Sequence, residues 1–279
     1  DAWLLQQVQL QLGATRLEAD GRIGERADLH FAIDAPDLSL LNDDAHGRFS
    51  AAGYLRGDAR NPVLQAQVNG ADLAYGEWRL QELSADVDFD PRSSGHADAR
   101  MQLGALQYGS RVVDQLRFTA AGTTAAHRFA LQISAPPYAA QAGGTASFAN
   151  GRWQAELSEF KAGDGAELRL SLVAPAQVIA TLSGDELRLE RLCLHDAQSM
   201  LCAGGTRFAG RNQLAVSAVH VPLHALTAGL RGDTDFEGQV SLEAHAESTP
   251  AGAWLAELQA TLKEAAVRHH LSGGRVESF

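Results

Sequence analysis

Apolar residues recur at every second position along most of this chain, and Gly, Pro or Asn breaks the runs. Val8, Leu10 and Leu12 alternate with Gln7, Gln9 and Gln11, a run of Leu17 to Ile23 follows, and Ala27, Leu29, Phe31 and Ile33 alternate with Asp28, His30 and Ala32. A period of two predicts half-buried strands. Pro36 ends the third run because Pro cannot donate to a ladder, and Asp37 to Asn42 reads as a short bend or helical turn. Strands are then predicted over Phe49 to Leu55, Val63 to Val68, Leu73 to Leu80 and Leu83 to Phe89. In the last of these Leu83, Ala85, Val87 and Phe89 point one way, and Asp86, Asp88 and Asp90 the other. Such alternation belongs to antiparallel sheets with one covered face, since buried parallel strands read as unbroken apolar runs.

Later segments add two hairpins. Asn150-Gly151 lies between alternating runs, and both positions of a type I′ turn need positive φ, which Asn and Gly accept. Around Asp196-Ala197-Gln198-Ser199, closing the chain brings Cys193 opposite Cys202 at a site where Cβ atoms approach. A cross-strand disulfide and a pair of buried thiols both fit there. Trp254 to Val267 suits helix and strand periods alike; the recurrence of Leu64-Gln65-Ala66 as Leu258-Gln259-Ala260 favours strand. Pro222 to Leu230, with Leu223, Leu226 and Leu230, is the one helix candidate.

That recurrence is part of a wider one. Ala66, Leu73, Tyr75, Gly76, Leu80 and Leu83 match Ala99, Leu106, Tyr108, Gly109, Val113 and Leu116, and Gly47, Phe49 and Ala51 recur in type as Gly238, Val240 and Leu242. Residues 1–279 therefore read as one continuous repeat array, with weak units near 47–89, 99–122 and 238–267. The alternation already present at the first residues reads as an excerpt of a longer chain, with any export signal or anchor upstream.

Composition thins the core without changing the class. Hydrophobic residues make up 45% of the 279, but aromatics only 6%, so apolar surface is spread over many Ala, Val and Leu positions, as in an extended array. A formal charge of -11 argues against nucleic acid and against strong attraction to anionic membranes. No apolar run is long enough for a helical membrane span. Phosphate-binding glycine loops, a nucleophile elbow and a His-Glu-x-x-His pair are absent. His220 and His224 have the spacing of zinc ligands, yet Pro222 between them spoils a shared helix. No catalytic residue, metal or cofactor is expected.

Several stretches carry a resemblance. Gly47-x-Phe49-x-Ala51 leading to Leu55-Arg56-Gly57-Asp58 and Asn61-Pro62-x-Leu64-Gln65-Ala66, the two Leu-x-Tyr-Gly units, and Leu192-Cys193-Leu194 with Met200-Leu201-Cys202-Ala203 and Val221-Pro222-Leu223 resemble the periplasmic part of the TamB family, in the AsmA-like superfamily of bacterial envelope proteins. The resemblance implies an all-β, elongated β-taco: a U-shaped, largely antiparallel sheet, apolar inside and polar outside. It also implies a non-enzymatic bridge for phospholipids across the periplasm of a Gram-negative bacterium, in a protein anchored to the inner membrane by parts outside this chain. An outer-membrane barrel partner, TamA, and a role in outer-membrane protein assembly belong to the same expectation.

Surface accounting leads to the same place. An array with one uncovered apolar face would expose more than the few hundred Å² typical of soluble proteins, and acyl chains would cover it at about 0.8 kcal/mol per methylene. The side chains expected inside are Leu29, Phe31, Ile33, Phe49, Leu73, Tyr75, Leu83, Val87, Phe89, Leu106, Tyr108, Phe118, Phe129, Leu131, Ile133, Phe148, Trp153, Leu168, Leu170 and Leu172. Two other functions fit the pattern: a scaffold that binds outer-membrane protein strands by β-augmentation, and an extracellular β-repeat stalk with a filled core.

Overall fold

The computed structural model describes residues 3–58, 61–92, 94–165, 169–223, 234–249, 252–271 and 274–275. The chain divides into two compact units, Asp1–Asn150 and Gly151–Phe279. The first is an antiparallel meander in which each strand pairs with the next: β1 (Trp3–Leu12), β2 (Thr15–Ile23), β3 (Arg26–Ala35), β4 (Ala45–Asp58), β5 (Asn61–Tyr75), β6 (Trp78–Phe89), β7 (Ala97–Tyr108), β8 (Arg111–Thr123), β9 (Ala126–Ala135) and β10 (Tyr138–Ala149). A 3-10 turn at Leu38–Leu40 fills the expected bend, capped by the Asp37 carboxylate, which accepts from the Ser39 N–H.

The second unit comprises β11 (Arg152–Gly163), β12 (Arg169–Leu172), β13 (Ala176–Thr181), β14 (Glu186–His195), β15 (Met200–Phe208), β16 (Arg211–Pro222), β17 (Thr234–Ser248), β18 (Trp254–Leu271) and the short β19 (Gly274–Arg275). Strands β12 and β13 both pair with β11 on one side and β14 on the other, and the meander continues from β14 through β18. The fold is all-β and antiparallel, as the alternation required. Trp254 to Val267 is strand within β18. The helix expected over Pro222 to Leu230 lies, from His224 onward, outside the described residues.

One local expectation needs correction. Leu73 to Leu80 is a hairpin, not one strand: Gly76 turns the chain at φ +57, so Leu73 ends β5 while Leu80 begins β6. Asn69-Gly70, which resembles a turn, runs straight through β5. Gly70 leaves room for Leu73, since a Cβ placed there would lie 2.7 Å from the Leu73 Cδ1. Asn150 (φ +52) and Gly151 (φ +72) do form the expected positive-φ pair.

Burial differs from that of a packed sandwich. In the first unit the buried hydrophobics are alanines: Ala27, Ala35, Ala51, Ala97 and Ala146. The second buries larger residues, among them Leu157, Leu170, Ile179, Leu194, Val221 and Val240.

Candidate functional site

Residues directly opposed in an antiparallel ladder share a face, so the register collects the alternating positions into rows. One row of the first unit runs Val8, Ala19, Phe31, Gly53, Ala66, Val87, Ala99, Ala120, Phe129, Gly144 from β1 to β10. The next on that face runs Leu10, Leu17, Ile33, Ala51, Val68, Ala85, Met101, Phe118, Leu131, Ala142, and a third includes Phe49, Gly70, Leu83, Leu103, Leu116 and Ile133. A row from the opposite face reads Gln9, Glu18, Ala32, Ala52, Gln67, Asp86, Arg100, Thr119. One face is therefore apolar across ten strands and the other largely polar.

Most of the larger apolar side chains on this face are half-buried rather than enclosed, and Leu10 is exposed. Phe31 lies over its own sheet, where a Cβ on Gly53 would come within 2.9 Å of the Phe31 Cζ. Alternation slips once near the hairpin ends, at Gly47 (φ +103), Asp72 (φ +53) and Ala105 (φ +48). Positive φ at Asp72 and Ala105 inserts a bulge-like step that bends the strands, and it returns Leu73, Leu80, Leu106 and Val113 to the apolar face in register. Gly is required at position 47, since a Cβ there would sit 2.4 Å from the Asp72 carbonyl oxygen. Gly238 (φ +102) and Glu264 (φ +52) form the same pair in the second unit, at 2.6 Å.

At the other end of the strands the first unit curls strongly. Phe89 on β6 and Phe148 beside β9 on β10 are four strand spacings apart, about 19 Å in a flat sheet, yet their ring centroids are 5.6 Å apart in edge contact. Thr124, fully buried, sits in the pinch: its hydroxyl donates to the Asp90 carbonyl, its N–H to the Gly95 carbonyl at 2.9 Å, and its carbonyl accepts from Phe148 N–H at 2.8 Å. Asp90, read from sequence as one of the polar acids alternating with the apolar run Leu83 to Phe89, is buried here against Arg92. The hydrogen bond from the guanidinium holds the Asp90 carboxyl below the usual carboxylate range despite the opposing effect of burial.

In the second unit Trp153, Ala155 and Leu157 pair with Ala180, Val178 and Ala176 on one face. Leu170 and Leu194 are packed with Phe160, Leu172, Leu192 and Leu201, and a second cluster joins Ala218, Val221 and Val240 to Leu201, Leu223 and Leu242. A disulfide links Cys193 to Cys202 with Cα atoms 4.1 Å apart. Its turn has no glycine; instead the Asp196 carboxylate accepts from the N–H groups of Gln198 (2.9 Å) and Ser199 (2.7 Å). Burial works against ionisation of Asp196, but these backbone donors outweigh it and lower its pKa.

The structure thus places every described inward candidate of the first unit on the single apolar face, including Tyr75 and Tyr108, which are exposed at its margin. Leu168 lies outside the described residues. The face also holds Leu55, Leu64, Val68, Trp78, Met101, Leu103 and Leu116, which sequence reasoning left out; opposing each alternating run to its neighbour would have found them. Among the described residues no three His, Cys, Asp or Glu side chains form a metal-sized group, and no helix is long and apolar enough to cross a membrane.

Comparison with known proteins gives this face a context. The model of the N-terminal domain of TamB matches residues 1–275. The translocation and assembly module subunit TamB of Haemophilus influenzae is 23% identical over 157 residues, which cover 55% of this chain and 12% of that protein. No solved structure matches. A family match over nearly the whole length, on an all-β antiparallel sheet, means that the chain belongs to the TamB N-terminal domain family.

Proposed function

We propose that the apolar face is a passive, non-enzymatic trough that carries the acyl chains of phospholipids across the periplasm, in a module that also serves outer-membrane protein assembly. One observation carries this reading: ten strands align a continuous apolar face whose large side chains stay mostly half-exposed, the buried hydrophobics of that unit being alanines. A stalk with a filled core would bury its Phe and Leu residues. A face of this kind needs a cover that is apolar, conformable and free of directional demands, and hydrocarbon chains meet all three. The relative from Haemophilus influenzae is called a translocation and assembly module subunit, which supports work in the envelope beside an outer-membrane barrel such as TamA.

The test is photocrosslinking in cells with a probe at Phe31 or at Ala32, which sit on opposite faces of β3. Phospholipid attached at Phe31 and not at Ala32 is the expected result; no lipid at either in a folded, exported protein would remove the trough. A second reading rests on β18, whose Trp254, Leu255, Leu258 and Leu262 are all exposed along a strand paired over this stretch with β17 alone among the described residues. Such an edge can add an extended strand of another protein. Protein adducts from a probe at Leu258, without lipid at Phe31, would favour it.

A further inference from the structure

The apolar face of the first unit changes character toward its hairpin ends. Beyond the slip at Asp72 and Ala105, the row Leu73, Leu80, Leu106 and Val113 is half-buried hydrocarbon. The next row outward is Tyr75, Trp78, Tyr108 and Arg111, in register on β5, β6, β7 and β8. The chain has 4 Trp and 4 Tyr, and three of these eight stand side by side here. Tyr75 is 58% exposed, Trp78 51% and Tyr108 48%, although the rings of Trp78 and Tyr108 lie 4.5 Å apart. Packing of a core would bury them, and an ordinary solvated turn would not gather them.

An aliphatic row bordered by a row of amphipathic aromatics that ends in a cation is the composition of a boundary between hydrocarbon and water. Arg111 closes the row and makes no ion pair among the described residues, and a guanidinium is suited to paired hydrogen bonds with phosphate oxygens. Three strand spacings separate Tyr75 from Arg111, about 14 Å, enough for the glycerol shoulder and phosphate of one diacyl lipid. We propose that the row Tyr75, Trp78, Tyr108 and Arg111 is a headgroup subsite for a diacyl phospholipid. Its chains lie on Leu73, Leu80, Leu106 and Val113, its ester region meets the rings, and its phosphate meets Arg111. This proposal rests on the trough reading and adds to it a defined place for the polar end.

The experiment compares binding of dihexanoylphosphatidic acid and dihexanoylglycerol, both below their aggregation concentrations, to the full 279-residue chain by calorimetry. Arg111→Gln is expected to weaken the phosphatidic acid about tenfold while changing the diacylglycerol by less than about twofold. Trp78→Ala weakens both ligands. Arg79→Gln serves as the control, because Arg79 opposes Ala74 and Gln107 on the polar face, and it leaves both unchanged. Equal binding of the two ligands with no selective effect of Arg111→Gln would overturn the subsite and leave the trough standing. Failure of both ligands to bind the unaltered chain would overturn both. Thermal unfolding of each variant separates lost binding from lost folding.

Discussion

The two units use the same alternation and bury it differently. In the first, a ten-strand meander keeps a broad apolar face whose buried hydrophobics are all small alanines, and its tight spot is a polar pinch at Asp90, Thr124 and Phe148. In the second, the strands shorten at β12 and β13, Leu170 and Leu194 become buried, and a disulfide ties β14 to β15. Sequence periodicity alone therefore does not fix how much of an apolar face is enclosed. Side-chain size and local strand length decide it: an alanine-rich row collapses nothing, whereas Leu residues meeting across short, shared strands can pack. The first unit has the character of a surface held open, and the second that of a surface partly closed.

Equal truncations should separate the units most sharply. Leu194→Ala removes a buried side chain from a packed cluster and is expected to cost about 2–4 kcal/mol. Leu83→Ala, on the half-exposed face of β6, should cost about 1 kcal/mol. Denaturant unfolding with hydrogen exchange in each unit measures both, and comparable costs would end the open-versus-closed distinction. Next in size is the disulfide. The double variant Cys193→Ala/Cys202→Ala should destabilise the second unit by about 2–3 kcal/mol, given the short loop it closes, and leave exchange in the first unit unchanged.

Acid gives the smallest and most selective contrast. Asp90 and Asp196 both have folded pKa values below the unfolded one, so each contributes stability that is fully present above about pH 4 and is lost as pH falls through the lower folded value. Arg92→Ala should move the acid transition of the first unit to higher pH, and Asp196→Asn should make the second unit less acid-sensitive while weakening its turn. An effect of Arg92→Ala on the second unit instead would contradict the local origin assigned to Asp90.

Much of the site could be read from residue types before any coordinates. Phe31 and Ile33 on one side and Asp28 and His30 on the other follow from a period of two, which also gave the strand in β18 once Leu258-Gln259-Ala260 was set against Leu64-Gln65-Ala66. Asp90 could not be read this way. Its place just after β6 continues the solvated pattern of Asp86 and Asp88, and only the curl that brings Phe148 to Phe89 buries it. The Asp196 hairpin was expected, but not what holds its turn: Ala197-Gln198 lacks turn glycine, and the substitute is a side-chain oxygen whose reach depends on backbone geometry.

What the sequence determined by itself was the class and the alternation of apolar and polar positions along each strand, because alternation and turn chemistry act between near neighbours. The tertiary structure decided the lateral order of those faces, the positive-φ slips at Asp72, Ala105 and Glu264 that keep an apolar row in step, and the exposed row of Tyr75, Trp78, Tyr108 and Arg111. These depend on register between strands and on sheet curvature. Both arise from contacts between residues distant along the chain, and no local pattern encodes them.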